Sequence, residues 1–126
     1  MPEDLRRGAR GEKLARRFLR SHGYKILYRN FRACGGGEID IVCRDGDTLV
    51  FVEVKTRSTA YFGAPSEAVN PEKQRLITRG ALAWLRMLDN PDIYFRFDIV
   101  EIVMEPDGPS CNLIRDAFQL SEPYIY

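Results

Sequence analysis

Gly37-Glu38-Ile39-Asp40-Ile41-Val42-Cys43 and Leu49-Val50-Phe51-Val52-Glu53-Val54-Lys55, joined through Asp45-Gly46-Asp47, decide how this chain folds. Both runs are rich in β-branched and aromatic residues, and an Asp-Gly step between two such runs is a strong hairpin signal. Side chains alternate along a strand, so Glu38, Asp40 and Val42 share one face of the first strand, and Leu49, Phe51, Glu53 and Lys55 one face of the second. An even-numbered loop puts Asp40 on the face of Glu53 and Lys55; a three-residue loop without a bulge puts them on opposite faces.

The second strand carries charge where a core strand should not. Val50, Val52 and Val54 form an apolar face, and on the other face Phe51 is followed by Glu53 and Lys55. A buried carboxylate costs several kcal/mol unless it is paired or binds a metal. Lys55 is the nearby partner in sequence, while Glu38 and Asp40 converge on the same region with no second cation close along the chain. A cluster of acids around one lysine points to a divalent cation ahead of a structural ion pair.

Outward from the hairpin, the chain reads as one domain over residues 1–126, 44% hydrophobic and 29% charged. No apolar run is long enough to cross a bilayer, and the basic, polar N-terminus lacks the apolar core of a signal peptide. Cys34, Cys43 and Cys111 are odd in number and fit no metal-ligand spacing, which suits a reducing cytoplasm. His22 is the single histidine, which excludes a His-rich zinc site, and its place at a helix end reads as surface, which argues against a Ser-His-Asp triad built on it. The net charge of +1 hides an asymmetry. Residues 1–35 carry ten basic against three acidic groups, and the remainder nine against fifteen, or +7 beside −6. A phosphate-backbone binder with an acidic metal site has that pattern, as does a plain solvated helix face.

In chain order, a helix runs from Pro2 or Glu3 to His22 and stops at Gly23. At about 100° per residue Leu5 and Leu19 lie within about 20° of Glu12, with Ala9 and Ala15 beside it, so Glu12 falls in the buried stripe. It is either a salt-bridge partner of the sheet or a further carboxylate for the metal site. Tyr24 to Arg29 reads as a strand, and Asn30 to Gly37 as a lead-in whose three glycines let a ligand approach Glu38 and Asp40. Thr56 to Pro65 reads as a loop in which Arg57, Ser58, Tyr61 and Phe62 are placed to meet a phosphate and a base. Asn70 as N-cap and Pro71 at the first helical position start a second helix, ending near Leu88. Its apolar face is Ile77, Gly80, Trp84 and Met87 or Leu88, with Trp84 in the core and Lys73 over the sheet edge. Ile93 to Val103 reads as a strand in which Arg96 and Asp98 pair, and Asn112 to Phe118 as a last short strand.

Together these features resemble the PD-(D/E)XK nuclease superfamily, with its restriction-endonuclease-like α/β fold. More narrowly, Gly11-Glu12, Gly23-Tyr24, Gly37-Glu38-Ile39-Asp40, Phe51-Val52-Glu53-Val54-Lys55-Thr56-Arg57, Lys73 and Arg96-Phe97-Asp98 resemble the YraN, or UPF0102, family. Those are small bacterial proteins described as predicted endonucleases and related in fold to archaeal Holliday-junction resolvases. Ile39 stands where the superfamily pattern has proline. The resemblance implies a central mixed sheet of four to five strands flanked by helices, and Mg²⁺- or Mn²⁺-dependent cleavage of DNA, branched or damaged DNA included. It implies catalytic roles for Lys55, Glu53, Asp40 and Glu12. The metal ligands would be Asp40, Glu53, Glu38 and the Val54 carbonyl, and the nucleic-acid contacts Arg57, Lys73, Arg10 and Lys13. A cytoplasmic protein is expected, without membrane contact, and a homodimer suits a reaction on two strands. A non-catalytic nucleic-acid-binding module and a structural or interaction protein are the alternatives.

Overall fold

The computed structural model describes residues 3–57 and 69–120, with side chains from residue 8 onward. The loop read at residues 58–65, with Ser58, Tyr61 and Phe62, lies outside the described residues, as does the side chain of Leu5.

The elements follow in the order α1 (Glu3–Ser21), β1 (Lys25–Arg32), β2 (Glu38–Asp45), β3 (Thr48–Arg57), α2 (Pro71–Met87), β4 (Phe95–Glu105) and β5 (Gly108–Phe118). The five strands form one sheet in sequence order, antiparallel except for β3 and β4, which are parallel and bridged by α2. This mixed five-stranded sheet flanked by helices is the restriction-endonuclease-like α/β arrangement that the family resemblance implies.

Alternation along β3 splits the core in two. Val50 and Val52 pack with Ala15 and Leu19 of α1 on one face; Leu49 and Phe51 pack with Ile77, Ala81 and Leu85 of α2 on the other. Each cluster is closed by β4, through Val100 and Ile102 toward α1 and through Phe97 and Ile99 toward α2. Burying an aliphatic or aromatic side chain contributes about 2 kcal/mol, so the two-sided burial of β3 is the main reason this strand sits at the sheet centre.

Local chemistry accounts for the helix ends. In α1 the Gly23 amide donates to the Arg20 carbonyl and the Tyr24 amide to the Leu19 carbonyl, both at 3.0 Å, with Gly23 at φ +85°. That is a Schellman stop, and Leu19 and Tyr24 close it with an apolar contact inside the α1-side core. In α2 the Asn70 Oδ1 accepts the Lys73 amide at 2.8 Å, and Pro71 occupies the first helical position.

Several expectations need correction. Strand β1 continues to Arg32, into what reads as a lead-in, and β5 begins at Gly108, four residues before Asn112. The buried face of α1 runs through Gly11, Ala15 and Leu19, while Glu12 is half-buried beside it and Ala9 is exposed. The helix turns this way because Gly11 lies flat on β3: a Cβ there would stand 2.3 Å from the Thr56 hydroxyl oxygen. On α2, Met87 and Leu88 are 63% and 47% exposed, and Trp84 is half-buried. Trp84 packs edge-on against Phe31 (centroids 5.3 Å) and beside Tyr28 (5.5 Å), covering the outer strand β1 instead of filling the sheet centre.

Candidate active site

The hairpin loop sets the site. Asp45 pairs with Thr48 across a two-residue turn, Gly46 and Asp47, and Gly46 takes φ +61° at the glycine-favoured first turn position. The loop is therefore even, so unbroken alternation would put Asp40 and Glu53 on one side of the sheet. The β2–β3 ladder ends at Ile41↔Val52, and beyond it the Asp40 carboxylate takes over from the main chain: its Oδ2 accepts the Val54 amide at 2.8 Å. Strict alternation breaks at Asp40. Ile39 packs toward α2 and Ile41 toward α1, although the two are separated by a single residue. On the neighbouring strand Asn30 adopts φ +53°, so both strands bend at one level and turn Asp40 into the fork between β2 and β3.

Glu53 lies at that fork with its side chain only 7% exposed. Burial, then a hydrogen bond and charge repulsion from Asp40, push its carboxyl from an ordinary 4.5 up to about 9. The cation facing it differs from the one the sequence offers. Lys73 of α2 places its ammonium 3.6 Å from Glu53 Oε2 and pairs tightly with Glu38 Oε1, whose other oxygen receives the Arg32 guanidinium at 3.3 Å. Lys55 is exposed. Glu38 is held below the usual carboxylate range, first by its hydrogen bond to Lys73. Burial works against the Lys73 ammonium, but the bond to Glu38 and the charges of Glu53, Glu38 and Asp40 leave it above its ordinary value.

The helix reaches the acids because two glycines remove the side chains between them. A Cβ on Gly37 would lie 2.7 Å from the Gly80 amide nitrogen, and one on Gly80 would lie 3.0 Å from the Glu38 nitrogen. Backbone therefore rides on backbone where α2 crosses the start of β2. Lys73 is seven residues before Gly80, two helical turns back on a similar face, and so overhangs Glu38 and Glu53.

These groups open onto a cleft of about 530 Å³ whose walls include Glu12, Asp40, Glu53, Val54, Lys55, Thr56, Asn70 and Lys73. Glu12 stands in the α1 wall, where its Oε2 accepts a long hydrogen bond of 3.4 Å from Asn30 Nδ2. The structure thus brings Asp40, Glu53, Lys55, Val54, Glu12 and Lys73 to one cleft. Arg57 turns away: its guanidinium pairs with Glu101 at 3.3 Å, with both side chains largely buried. Arg10 and Lys13 lie exposed on α1.

A second polar network braces the opposite end of the sheet. Asp98 is fully buried; its carboxylate accepts from Arg96 Nε (3.0 Å), the Tyr24 hydroxyl (3.0 Å) and the Asp116 amide (3.0 Å). Arg96 also donates to Asp45 at 2.9 Å, tying β4 to the hairpin end. Burial, then Asp98, raises the Tyr24 phenol to about 12. Every charge here has a partner, and the predicted Arg96–Asp98 pair is a structural couple.

The profile of the uncharacterised protein family UPF0102 matches residues 11–102. The chain belongs to the UPF0102 family. A UPF0102 protein of Geobacter sulfurreducens is 53% identical over 115 residues, spanning 90% of this chain and 89% of its own. One from Geobacter metallireducens is 50% identical over 114 residues (90% and 93%), and one from Syntrophus aciditrophicus 45% over 121 residues (96% and 94%). The stretch matched to UPF0102 holds the whole cleft constellation from Glu12 to Lys73, and the Arg57–Glu101 pair with it.

Two features of this UPF0102 site escape the sequence reading. Glu101 is a buried acid on β4 in register with Lys55, and it carries the same signal as Glu53, a carboxylate inside an apolar run, Val100-Glu101-Ile102. The other is the partnership of Lys73 with both acids, which no spacing along the chain announces.

Among the described residues no three His, Cys, Asp or Glu side chains stand close enough together to hold an ion. The donor set is therefore two carboxylates, Asp40 and Glu53, with Val54 in the same wall. That set fits a hard cation such as Mg²⁺, which binds through one or two carboxylates and keeps several waters. The buried Glu53 carboxyl facing Asp40 is the observation that favours the fit: burial and Asp40 both penalise its charged form, a penalty that a cation between the two would offset. No helix among the described residues is long and apolar enough to cross a membrane.

Proposed function

We propose that this protein is a divalent-metal-dependent endonuclease that hydrolyses DNA phosphodiester bonds, with Mg²⁺ or Mn²⁺ as cofactor. The observation that carries the reading is the meeting of Asp40 with the buried Glu53 at an open cleft, with the exposed Lys55 in the same wall.

Asp40 and Glu53 bind the cation, and the Val54 carbonyl completes the protein's share of the ligands. When bound, the cation supplies Lewis acidity, making a water easier to deprotonate and offsetting negative charge on the phosphate. Lys55, free to reach into the cleft, orients the attacking water and stabilises charge on the phosphate oxygens. Asp40 is fixed by the Val54 amide, so one ligand is pre-oriented before any ion arrives. Glu12, steadied by Asn30, accepts hydrogen bonds from water on the far wall of the cleft. Exposed Arg10 and Lys13 on α1 contact the phosphate backbone.

The test is a cleavage assay on linear, nicked and four-way DNA titrated with Mg²⁺ or Mn²⁺, run in parallel on Asp40→Ala and Lys55→Ala. The reading expects cation-dependent cleavage that falls at least a hundredfold in each variant. Equal cleavage by wild type and both variants assigns the activity to a contaminant and overturns the reading. Salt-dependent DNA binding that Asp40→Ala leaves intact, with no cleavage at any metal concentration, marks a binding module instead.

A further inference from the structure

Lys73 stands in two unequal relationships. Its ammonium bonds tightly to Glu38 Oε1, but lies 3.6 Å from Glu53 Oε2, beyond the 2.7–2.9 Å or so of a charge-assisted hydrogen bond. The lysine is anchored on one acid and only leans on the other. The Glu38 end is itself secured, since Arg32 takes its second oxygen, and the backbone contact of Gly37 with Gly80 fixes the height of α2 above β2.

We propose that Lys73 is a positioning residue: anchored on Glu38, its ammonium holds the Glu53 carboxyl in place while the cleft lacks metal, and yields it to the divalent ion while staying tethered to Glu38. Glu38 is then the tether of Lys73 and not a metal ligand. This rests on the metal-site reading above and adds to it the group against which the ion competes.

The argument is one of charge and reach. Asp40 and Glu53 line the cleft, Glu38 stands behind Lys73, and that helix-borne ammonium meets both Glu38 and Glu53. Lys73 is 34% exposed, so its side chain has solvent to move into without unpacking the core. The two charges repel at short range, and the ammonium keeps a partner in Glu38 when it withdraws. Lys73 therefore stabilises the metal-free protein and weakens metal binding, two effects of opposite sign that a purely structural salt bridge does not combine.

The experiment is calorimetric titration of Mn²⁺ into wild type, Lys73→Gln, Lys73→Arg, Glu38→Gln and the double variant Lys73→Gln/Glu38→Gln, with thermal unfolding of each in EDTA. No nucleic acid is present. The inference expects Lys73→Gln to unfold at lower temperature in EDTA yet bind Mn²⁺ about tenfold more tightly, and Lys73→Arg to stay near wild type in both. It also expects that adding Glu38→Gln to Lys73→Gln leaves the Mn²⁺ affinity unchanged. If wild type binds Mn²⁺ and Lys73→Gln binds it equally or more weakly, the inference fails and the metal site stands. A further loss of affinity in the double variant makes Glu38 a ligand and overturns the tether. If neither wild type nor any variant binds Mn²⁺, the metal-site reading fails and takes this inference with it.

Discussion

Replacing Glu53 by Gln should make the metal-free protein more stable, although Glu53 faces the Lys73 ammonium at 3.6 Å. In the folded chain the Glu53 carboxyl is held near 9, while in the unfolded chain it titrates near 4.5. A raised folded-state pKa means that stability is fully present below pH 4.5 and is lost as the pH rises through the folded value. At pH 7 the folded carboxyl still keeps its proton while the unfolded one has released it. The cost is therefore the gap from 4.5 to 7, about 1.4 kcal/mol per unit and so about 3 kcal/mol as a ceiling, since the proton is shared with Asp40. Glutamine is isosteric with the protonated acid and carries no such penalty. Urea unfolding of both proteins in EDTA should show nearly equal stability at pH 4.5 and an advantage for Glu53→Gln of up to about 3 kcal/mol at pH 7, or roughly 10 °C in melting temperature. Saturating Mn²⁺ should stabilise the wild type and leave the variant unmoved. A variant less stable than wild type at pH 7, or a difference independent of pH, would mean that Glu53 is ionised and satisfied by Lys73 alone, and the reasoning from two converging carboxyls would be wrong.

Other perturbations separate site from scaffold. Arg96→Met leaves the fully buried Asp98 with its Tyr24 and Asp116 bonds but no counter-charge, and should cost about 3 kcal/mol or more in urea unfolding without altering Mn²⁺ affinity. Gly80→Ala presses a methyl to 3.0 Å from the Glu38 nitrogen; it should destabilise by roughly 1–3 kcal/mol and also disturb Mn²⁺ binding, because the same crossing carries Lys73. Arg10→Ala and Lys13→Ala together should reduce the slope of log affinity for DNA against log salt by about 1–2, with metal binding unchanged.

Much of the fold is legible because its signals are local. The Asp-Gly turn between two β-branched runs, the Asn70-Pro71 start of α2 and the glycine stop of α1 each act within a few residues, and all appear where the sequence puts them. So does the even hairpin loop, although Asp40 reaches Glu53 through a bend and not through parity alone. What is not legible is set by contacts between elements. Lys73 meets Glu38 and Glu53 because Gly37 and Gly80 let two backbones touch, a fact no periodicity contains. The break of alternation at Asp40 arises from a bend shared by two strands, with Asn30 in a left-handed conformation. The helical wheel of α1 misplaces its buried stripe because Gly11, apolar on no scale that matters, is the residue pressed hardest on the sheet. Arg57, read as a phosphate contact from its place after the central strand, is captured by Glu101 on the neighbouring strand, and that acid matters only once β3 and β4 are known to run parallel.

The anomalous signal of Mn²⁺ in crystals of the wild-type protein tests the central claim most directly. The account predicts a peak between the carboxylates of Asp40 and Glu53, with Lys73 drawn back from Glu53 and still bonded to Glu38. Occupied manganese elsewhere, or none at millimolar concentration with Lys73 unmoved beside Glu53, would contradict it.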